Sequence, residues 1–215
     1  QAWLSPSWAT HLVTPVSPEA RAALGDWFAR GHPAVVCRPE RGAPAGGPAG
    51  AVAGVPLCVT LPATRWNASI RFSVARAAIA RLAEPPPLRE VVPSAPAEMR
   101  APLAILDRDA TAVGVPLSVV GALAWQHHTG LDYVTPRSPV ELHFRPRTRR
   151  ELEGILGVLR LRENWDGPPL AGEVILGWND AVAWRDLARG RRRVLVQGPE
   201  SESVVDVERL LVGLR

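Results

Sequence analysis

Apolar positions along this chain follow two different spacings, and the places where the spacing changes outline its organisation. Between residues 17 and 31, Ala20, Ala23, Leu24, Trp27 and Phe28 recur every three or four positions, which lays them along one face of a helix. Ser17 offers an N-cap oxygen, Pro18 suits the first helical position through its preset φ, and Gly31 closes the helix. The apolar runs at 34–37 and 55–61 and the alternating Ile70, Phe72 and Val74 have strand spacing. These pieces predict a small α+β domain over residues 1–90.

Proline then interrupts the pattern. Pro85, Pro86, Pro87, Pro93, Pro96 and Pro102 crowd the stretch 84–102, and each removes an N–H and fixes φ, so residues 91–102 are read as a linker. A low-complexity stretch at 39–54 is read as a surface loop within the first domain. The second domain, 103–215, opens with a strand at 116–120, a turn at Gly121 and a helix at 123–129 that Gly130 stops. Val140, Leu142 and Phe144 alternate strictly, which puts Glu141 and His143 together on the opposite face of their strand. Thr148 and Glu151 form a capping box for a helix whose Leu152, Ile155, Leu156 and Leu159 share one face. Further strands are expected at 173–176, 181–184 and 194–197. No internal repeat is visible.

Composition narrows the class. The 215 residues are 47% hydrophobic and 21% charged, enough apolar material for a packed core, so a disordered or fibrous chain is excluded. No apolar run reaches the ~18 residues of a membrane span. All 25 basic residues are arginine and none is lysine, so the net charge of +4 rests on guanidinium groups alone. Their planar forks suit phosphate oxygens. A GC-rich genome explains the same bias, and the 22 prolines and 18 glycines favour that explanation. Cys37 and Cys58 lie in apolar runs with no CxxC or histidine-rich neighbourhood, so they are read as buried thiols of a reducing compartment. The first residues have no basic cap followed by an apolar stretch, and the expected location is the cytoplasm. The triplet Asn67-Ala68-Ser69 matches a glycosylation sequon that carries little weight outside a secretory context.

The remaining candidates are read conservatively. His127 and His128 are adjacent on a helix and project ~100° apart, so they do not line one metal site together. Arg145, Arg147, Arg149 and Arg150, and the run 191–193, offer charge to a phosphate or an acidic partner surface, although such runs are more often solvated faces. The eight tryptophans are read as packing, and without aromatic and basic residues interleaved no nucleic-acid partner is expected.

Three segments carry a family resemblance. Residues 119–144, VVGALAWQHHTGLDYVTPRSPVELHF, resemble the GS-x-AWQ-x-x-TGL-x-Y and SD-h-D-L-L pattern (h apolar) of the malonate decarboxylase holo-acyl-carrier-protein synthase family, the MdcG-type phosphoribosyl-dephospho-CoA transferases. AGEVILGWNDAVAWRDLA is similar to the DGE-h and AVAWREL of that family, and DWFARGHPAVVCRPERG resembles its entry segment. The resemblance implies an α+β protein in which a small N-terminal domain precedes a nucleotidyltransferase-like α/β domain with a mixed sheet. It implies transfer of 2′-(5-triphosphoribosyl)-3′-dephospho-CoA to a serine of the malonate decarboxylase acyl carrier protein, with release of pyrophosphate. Such chemistry commonly uses Mg²⁺ ions ~3.5–4 Å apart, held by carboxylates.

By the same resemblance, Glu141 and Glu173 are the expected metal-binding and catalytic carboxylates. Gly121, Ala122, Ser138, Arg137 and Arg185 are the expected contacts to nucleotide and phosphate. The implied partners are the acyl carrier subunit and triphosphoribosyl-dephospho-CoA, with neither nucleic acid nor membrane. Two positions depart from the pattern: Ala122 stands where the family has serine, and Pro139 stands where it has the first acid. Those departures leave a second reading, a paralogue that binds the carrier or the precursor without turnover. A weaker third reading is a nucleotidyltransferase acting on another acceptor.

Overall fold

In the computed structural model, which describes residues 1–38, 54–62, 69–163, 165–177, 179–198 and 201–214, the chain divides between Glu84 and Pro85 into two units. The first begins with strand β1 (Ala2–Leu4) and continues into helix α1 (Pro18–Ala29). Ser17 caps α1 as expected, its Oγ accepting from the Ala20 N–H at 3.2 Å. Leu24 and Trp27 are the buried residues of α1, and Gly31, at φ 77°, ends the turn beyond it. Strands β2 (Val35–Val36), β3 (Val55–Thr60) and β4 (Ser69–Val74) make a three-stranded antiparallel sheet in that order, and β5 (Ile79–Leu82) pairs back onto β1. Phe28 and Phe72 meet edge to face at 6.1 Å, and Trp8 joins Phe28 at 5.1 Å, so an aromatic cluster fills this small core.

The two cysteines differ from expectation. They sit on neighbouring segments of this sheet, with Cys58 opposite Val35, and both are half-buried rather than buried. A hydrogen bond between the two thiols holds Cys58 down at about 7 and pushes Cys37 up, because one sulfur becomes donor and the other the favoured thiolate. The loop at 39–54 and the sequon lie largely outside the described residues.

The second unit starts earlier than the proline pattern predicts. Residues 91–102 are not a linker: α2 (Leu88–Val91) leads through a 3-10 turn into α3 (Ala97–Ala112), and Val91, Ala95, Met99, Leu103, Leu106 and Ala110 are all buried in the core. Each large apolar side chain buried this way contributes about 1.5–3 kcal/mol. Pro102 sits inside α3 and removes one intrahelical hydrogen bond, a cost of about 3 kcal/mol that the apolar stripe of Met99, Leu103 and Leu106 offsets. Pro96 occupies the N-cap, outside the region where proline does harm.

Next come β6 (Ser118–Val120), α4 (Gly121–Thr129), β7 (Val140–Phe144), α5 (Arg149–Leu161) and β8 (Leu170–Leu176). They are followed by β9 (Asp180–Ala183), α6 (Trp184–Ala188), β10 (Arg193–Gln197), β11 (Glu202–Asp206) and α7 (Val207–Leu210). The six strands form one sheet in the order β11-β10-β9-β8-β7-β6, with β7 and β8 parallel and the other pairs antiparallel. Together the two units make the expected α+β fold with a mixed sheet. The parallel pair exists because α5 carries the chain back between β7 and β8.

The capping box at α5 differs in one detail. Thr148 Oγ1 accepts from the Glu151 N–H at 3.0 Å, but Glu151 reaches back to the Arg147 N–H at 2.6 Å rather than to Thr148. Leu152, Ile155, Leu156 and Leu159 are buried as their spacing implies. The strand expected at 181–184 stops at Ala183, and Trp184 begins α6. Among the described residues no helix is long and apolar enough to cross a membrane.

Candidate active site

The strand registers gather the expected site residues at one edge of the six-stranded sheet. Val120 at the end of β6 lies opposite Glu141, Val140 at the start of β7 lies opposite Leu170, and Ala183 at the end of β9 lies opposite Glu173. Gly121, the 135–138 turn, the start of β8 and Trp184-Arg185 therefore emerge at the same edge.

Gly121 and Glu141 form the tightest corner. Gly121 has φ 67°, and a Cβ on it would lie closer than 3.0 Å to the carboxylate carbon and both oxygens of Glu141. Only glycine combines that backbone angle with that approach. The Glu141 carboxylate thus stands against the first residue of α4, where the helix presents its positive end and where no side chain caps the free N–H groups. Glu141 is exposed, and among the described residues no hydrogen bond or ion pair engages its oxygens. Ala122 follows directly, with no hydroxyl to add.

Glu173 has a different environment. His143 and Glu173 are register partners, with His143 Nε2 3.4 Å from Glu173 Oε2. Because Glu141 and His143 project from the same face of β7, and Glu173 meets His143 there, all three side chains share one face of the sheet. Gly172 makes this approach possible. At φ 117° its Cβ would overlap the backbone of Leu142, so β8 closes on β7 only with glycine there.

The loop leading to Glu141 is pinned by the segment AWQ-x-x-TGL-x-Y. Gln126 donates to the Ser94 carbonyl at 2.6 Å and accepts from the Tyr133 and Val134 N–H groups at 3.0 and 3.1 Å. Thr129 accepts from the Leu131 N–H at 3.2 Å, Gly130 takes the left-handed cap at φ 68°, and the Trp125 and Tyr133 rings stack at 6.3 Å. Burial raises the Tyr133 hydroxyl pKa. The role of Gln126 escapes a reading by periodicity, since nothing in spacing tells which backbone groups an amide will reach. Ser138 completes the loop. Its Oγ accepts from the Thr135 N–H at 2.9 Å, so its hydroxyl is committed to the turn before β7. Arg137 beside it is exposed and unpaired among the described residues.

Arg185 makes a separate set of contacts. Its guanidinium donates to the Leu170 carbonyl at 2.7 Å, pairs with Glu163 at 3.3 Å and lies 4.9 Å from the Trp184 ring centroid. The other charge runs are largely surface pairs: Arg149 meets Glu208, Arg191 meets Asp186 and Arg192 meets Asp206. His127 Nδ1 lies 3.0 Å from Ser94 Oγ, and its ring stands 5.1 Å from that of His128. Among the described residues no group of three or more His, Cys, Asp or Glu side chains is arranged to hold a metal ion.

The family model described as the phosphoribosyl-dephospho-CoA transferase MdcG C-terminal domain matches residues 87–208, which span the second unit from α2 to α7. A phosphoribosyl-dephospho-CoA transferase of Xanthomonas euvesicatoria pv. vesicatoria is 34% identical over 182 residues, covering 85% of this chain and 82% of that protein. One of Xanthomonas campestris pv. campestris is also 34% identical over 182 residues, with the same coverage of both chains. One of Bradyrhizobium diazoefficiens is 31% identical over 160 residues, covering 74% of this chain and 71% of its own. No solved structure matches the chain. With residues 87–208 of its second unit matched and a relative aligned over 85% of the chain, this chain belongs to the MdcG family of phosphoribosyl-dephospho-CoA transferases.

Proposed function

We propose that this chain transfers the 2′-(5-triphosphoribosyl)-3′-dephospho-CoA group to a serine of the malonate decarboxylase acyl carrier protein. In that reaction the serine Oγ bonds to phosphorus, the P–O bond to pyrophosphate breaks, and the serine proton leaves to solvent. The observation that carries the reading is the corner of Gly121 and Glu141: an unengaged carboxylate held against the open N-terminus of a helix. A free helix N-terminus attracts phosphate oxygens. A bare carboxylate in the same place repels them, and a cation held by Glu141 would offset that repulsion.

Mg²⁺ fits that role in a limited form. It binds through one or two carboxylates and completes its shell with water and substrate phosphate, and Glu141 supplies one such carboxylate. Pro139 has no ligand atom and Glu173 already meets His143, so the donor set suits one ion held mainly by the substrate rather than a cage of protein ligands. When bound, the ion neutralises charge on the phosphates. Gly121 keeps the helix end open, Gln126 and Ser138 fix the loop before β7, and exposed Arg137 supplies a guanidinium for the triphosphate. The two free thiols fit a cytoplasmic setting.

Pro139 and Ala122 favour one alternative, a chain that binds carrier or precursor without turning over. One experiment separates the two: purified chain, triphosphoribosyl precursor, Mg²⁺ and apo carrier are incubated, and the intact carrier is weighed by mass spectrometry. The transferase reading expects the carrier to gain the mass of the prosthetic group. An unchanged carrier mass while the carrier still binds would establish the alternative.

A further inference from the structure

A cleft of about 130 Å³ opens at the same sheet edge, beside the start of β8. Its walls include Arg162, Glu163, Trp165, Pro168, Trp184 and Arg185. Trp184 is 1% exposed, and its indole N–H has no acceptor among the described residues; Arg162 Nε is likewise buried without one. Buried donors left unpaired are costly, and their presence in the wall of a cleft marks a place for a ligand acceptor. The charges of the cleft are already balanced. Arg162 pairs with Asp109, and Arg185 pairs with Glu163.

That balance decides what the cleft can take. A phosphate would find no net positive charge there, whereas a flat ring bearing both acceptor nitrogens and an amine would meet a matching set. The indole N–H and Arg162 Nε donate, the Glu163 carboxylate accepts, and the partly exposed Trp165 indole, with the Arg162 guanidinium 5.7 Å from its centroid, offers a face for stacking. Trp165 is held in place for this, its Nε1 donating to the Pro168 carbonyl at 3.0 Å while Gly167 lies so close to the ring that a Cβ there would overlap it. At about 130 Å³, below the ~150 Å³ of a cavity that accepts benzene, the open cleft takes one edge of a flat ring system rather than a whole cofactor.

We propose that this cleft binds the adenine ring of the dephospho-CoA part of the substrate, with Trp165 as its stacking surface and Trp184, Arg162 and Glu163 as its hydrogen-bonding edge. The assignment rests on the transferase reading for its substrate, and it moves Arg185 from a phosphate contact to the residue that positions Glu163.

Binding of 3′-dephospho-CoA and of 4′-phosphopantetheine to the full chain is measured by calorimetry for wild type, Trp165→Leu and Arg185→Gln, with melting temperatures as the folding control. The Arg185 side chain is 39% exposed, so its variant keeps the test alive if Trp165→Leu does not fold. Stacking losses of this kind weaken binding about tenfold or more for Trp165→Leu, and Arg185→Gln is expected to lose less. Phosphopantetheine, which has no base, should bind all three proteins alike. Equal affinity of all three proteins for dephospho-CoA overturns the assignment, as does a parallel loss for both ligands in folded variants. Transfer to the carrier, measured on the same preparations, separates the two readings. Wild-type KM in both variants sinks the adenine cleft and leaves the transferase intact. Absence of transfer by a wild-type chain whose dephospho-CoA binding the variants weaken sinks the transferase and leaves the cleft.

Discussion

Glu141 and Glu173 are the same residue type on the same face of one sheet, yet their surroundings differ. Glu173 meets His143 at 3.4 Å, while Glu141 has no partner among the described residues and stands against the opening turn of a helix. One carboxylate has a histidine partner, and the other has none among the described residues. The difference comes from two glycines. Gly121 lets a carboxylate approach a helix end, and Gly172 lets β8 approach β7 closely enough for Glu173 to find its histidine. Free carboxylate and paired carboxylate are thus both consequences of absent side chains.

The comparison breaks most severely at Gly172. Gly172→Ala forces a Cβ into the Leu142 backbone at φ 117°, and the expected loss is about 3 kcal/mol or more, seen as a lower denaturation midpoint or insoluble protein. Gly121→Ala is milder on the fold, about 1 kcal/mol for the left-handed backbone, but it displaces Glu141. Transfer should then fall on the order of 10²-fold at near-normal stability, which initial rates and a melting curve measure together. Gln126→Ala removes hydrogen bonds that pin the loop before β7. A stability loss of about 1–2 kcal/mol is expected in chemical denaturation, with faster amide exchange over 131–138. The smallest effect belongs to Glu173→Gln, which keeps a hydrogen-bond acceptor for His143. Its transfer rate should fall by less than about tenfold, the scale of a residue that orients its neighbour.

Much of this was legible in the sequence, and the reasons are specific. Ser17, Pro18 and Gly31 bounded α1, Gly130 ended α4, and the alternation of Val140, Leu142 and Phe144 placed Glu141 and His143 together, because caps and period-2 spacing act locally. Helix α3 was hidden because proline density argued against regular structure. Pro96 instead sits at the N-cap, and Pro102 is carried by the buried stripe of Met99, Leu103 and Leu106, so tertiary packing overrode local propensity. Strand β11 has only two central valines and exposed flanks, too little pattern to recognise. At the site, the family resemblance pointed to Glu141, Gly121 and Glu173 but not to what separates the two acids. The pairing of Glu173 with His143 depends on the register of β7 against β8, a contact between segments separated by a helix. The donors without acceptors at Trp184 and Arg162 are likewise a property of packing that no spacing reports.

The central claim is that Glu141 is the working carboxylate of this site. The direct measurement is the rate at which Glu141→Gln adds mass to the apo carrier, compared with wild type at saturating precursor and Mg²⁺, in a protein shown by its melting curve to be folded. The account expects a loss on the order of 10²-fold or greater, which at saturating precursor is a loss in kcat and not in affinity. Transfer by folded Glu141→Gln at the wild-type rate would contradict it.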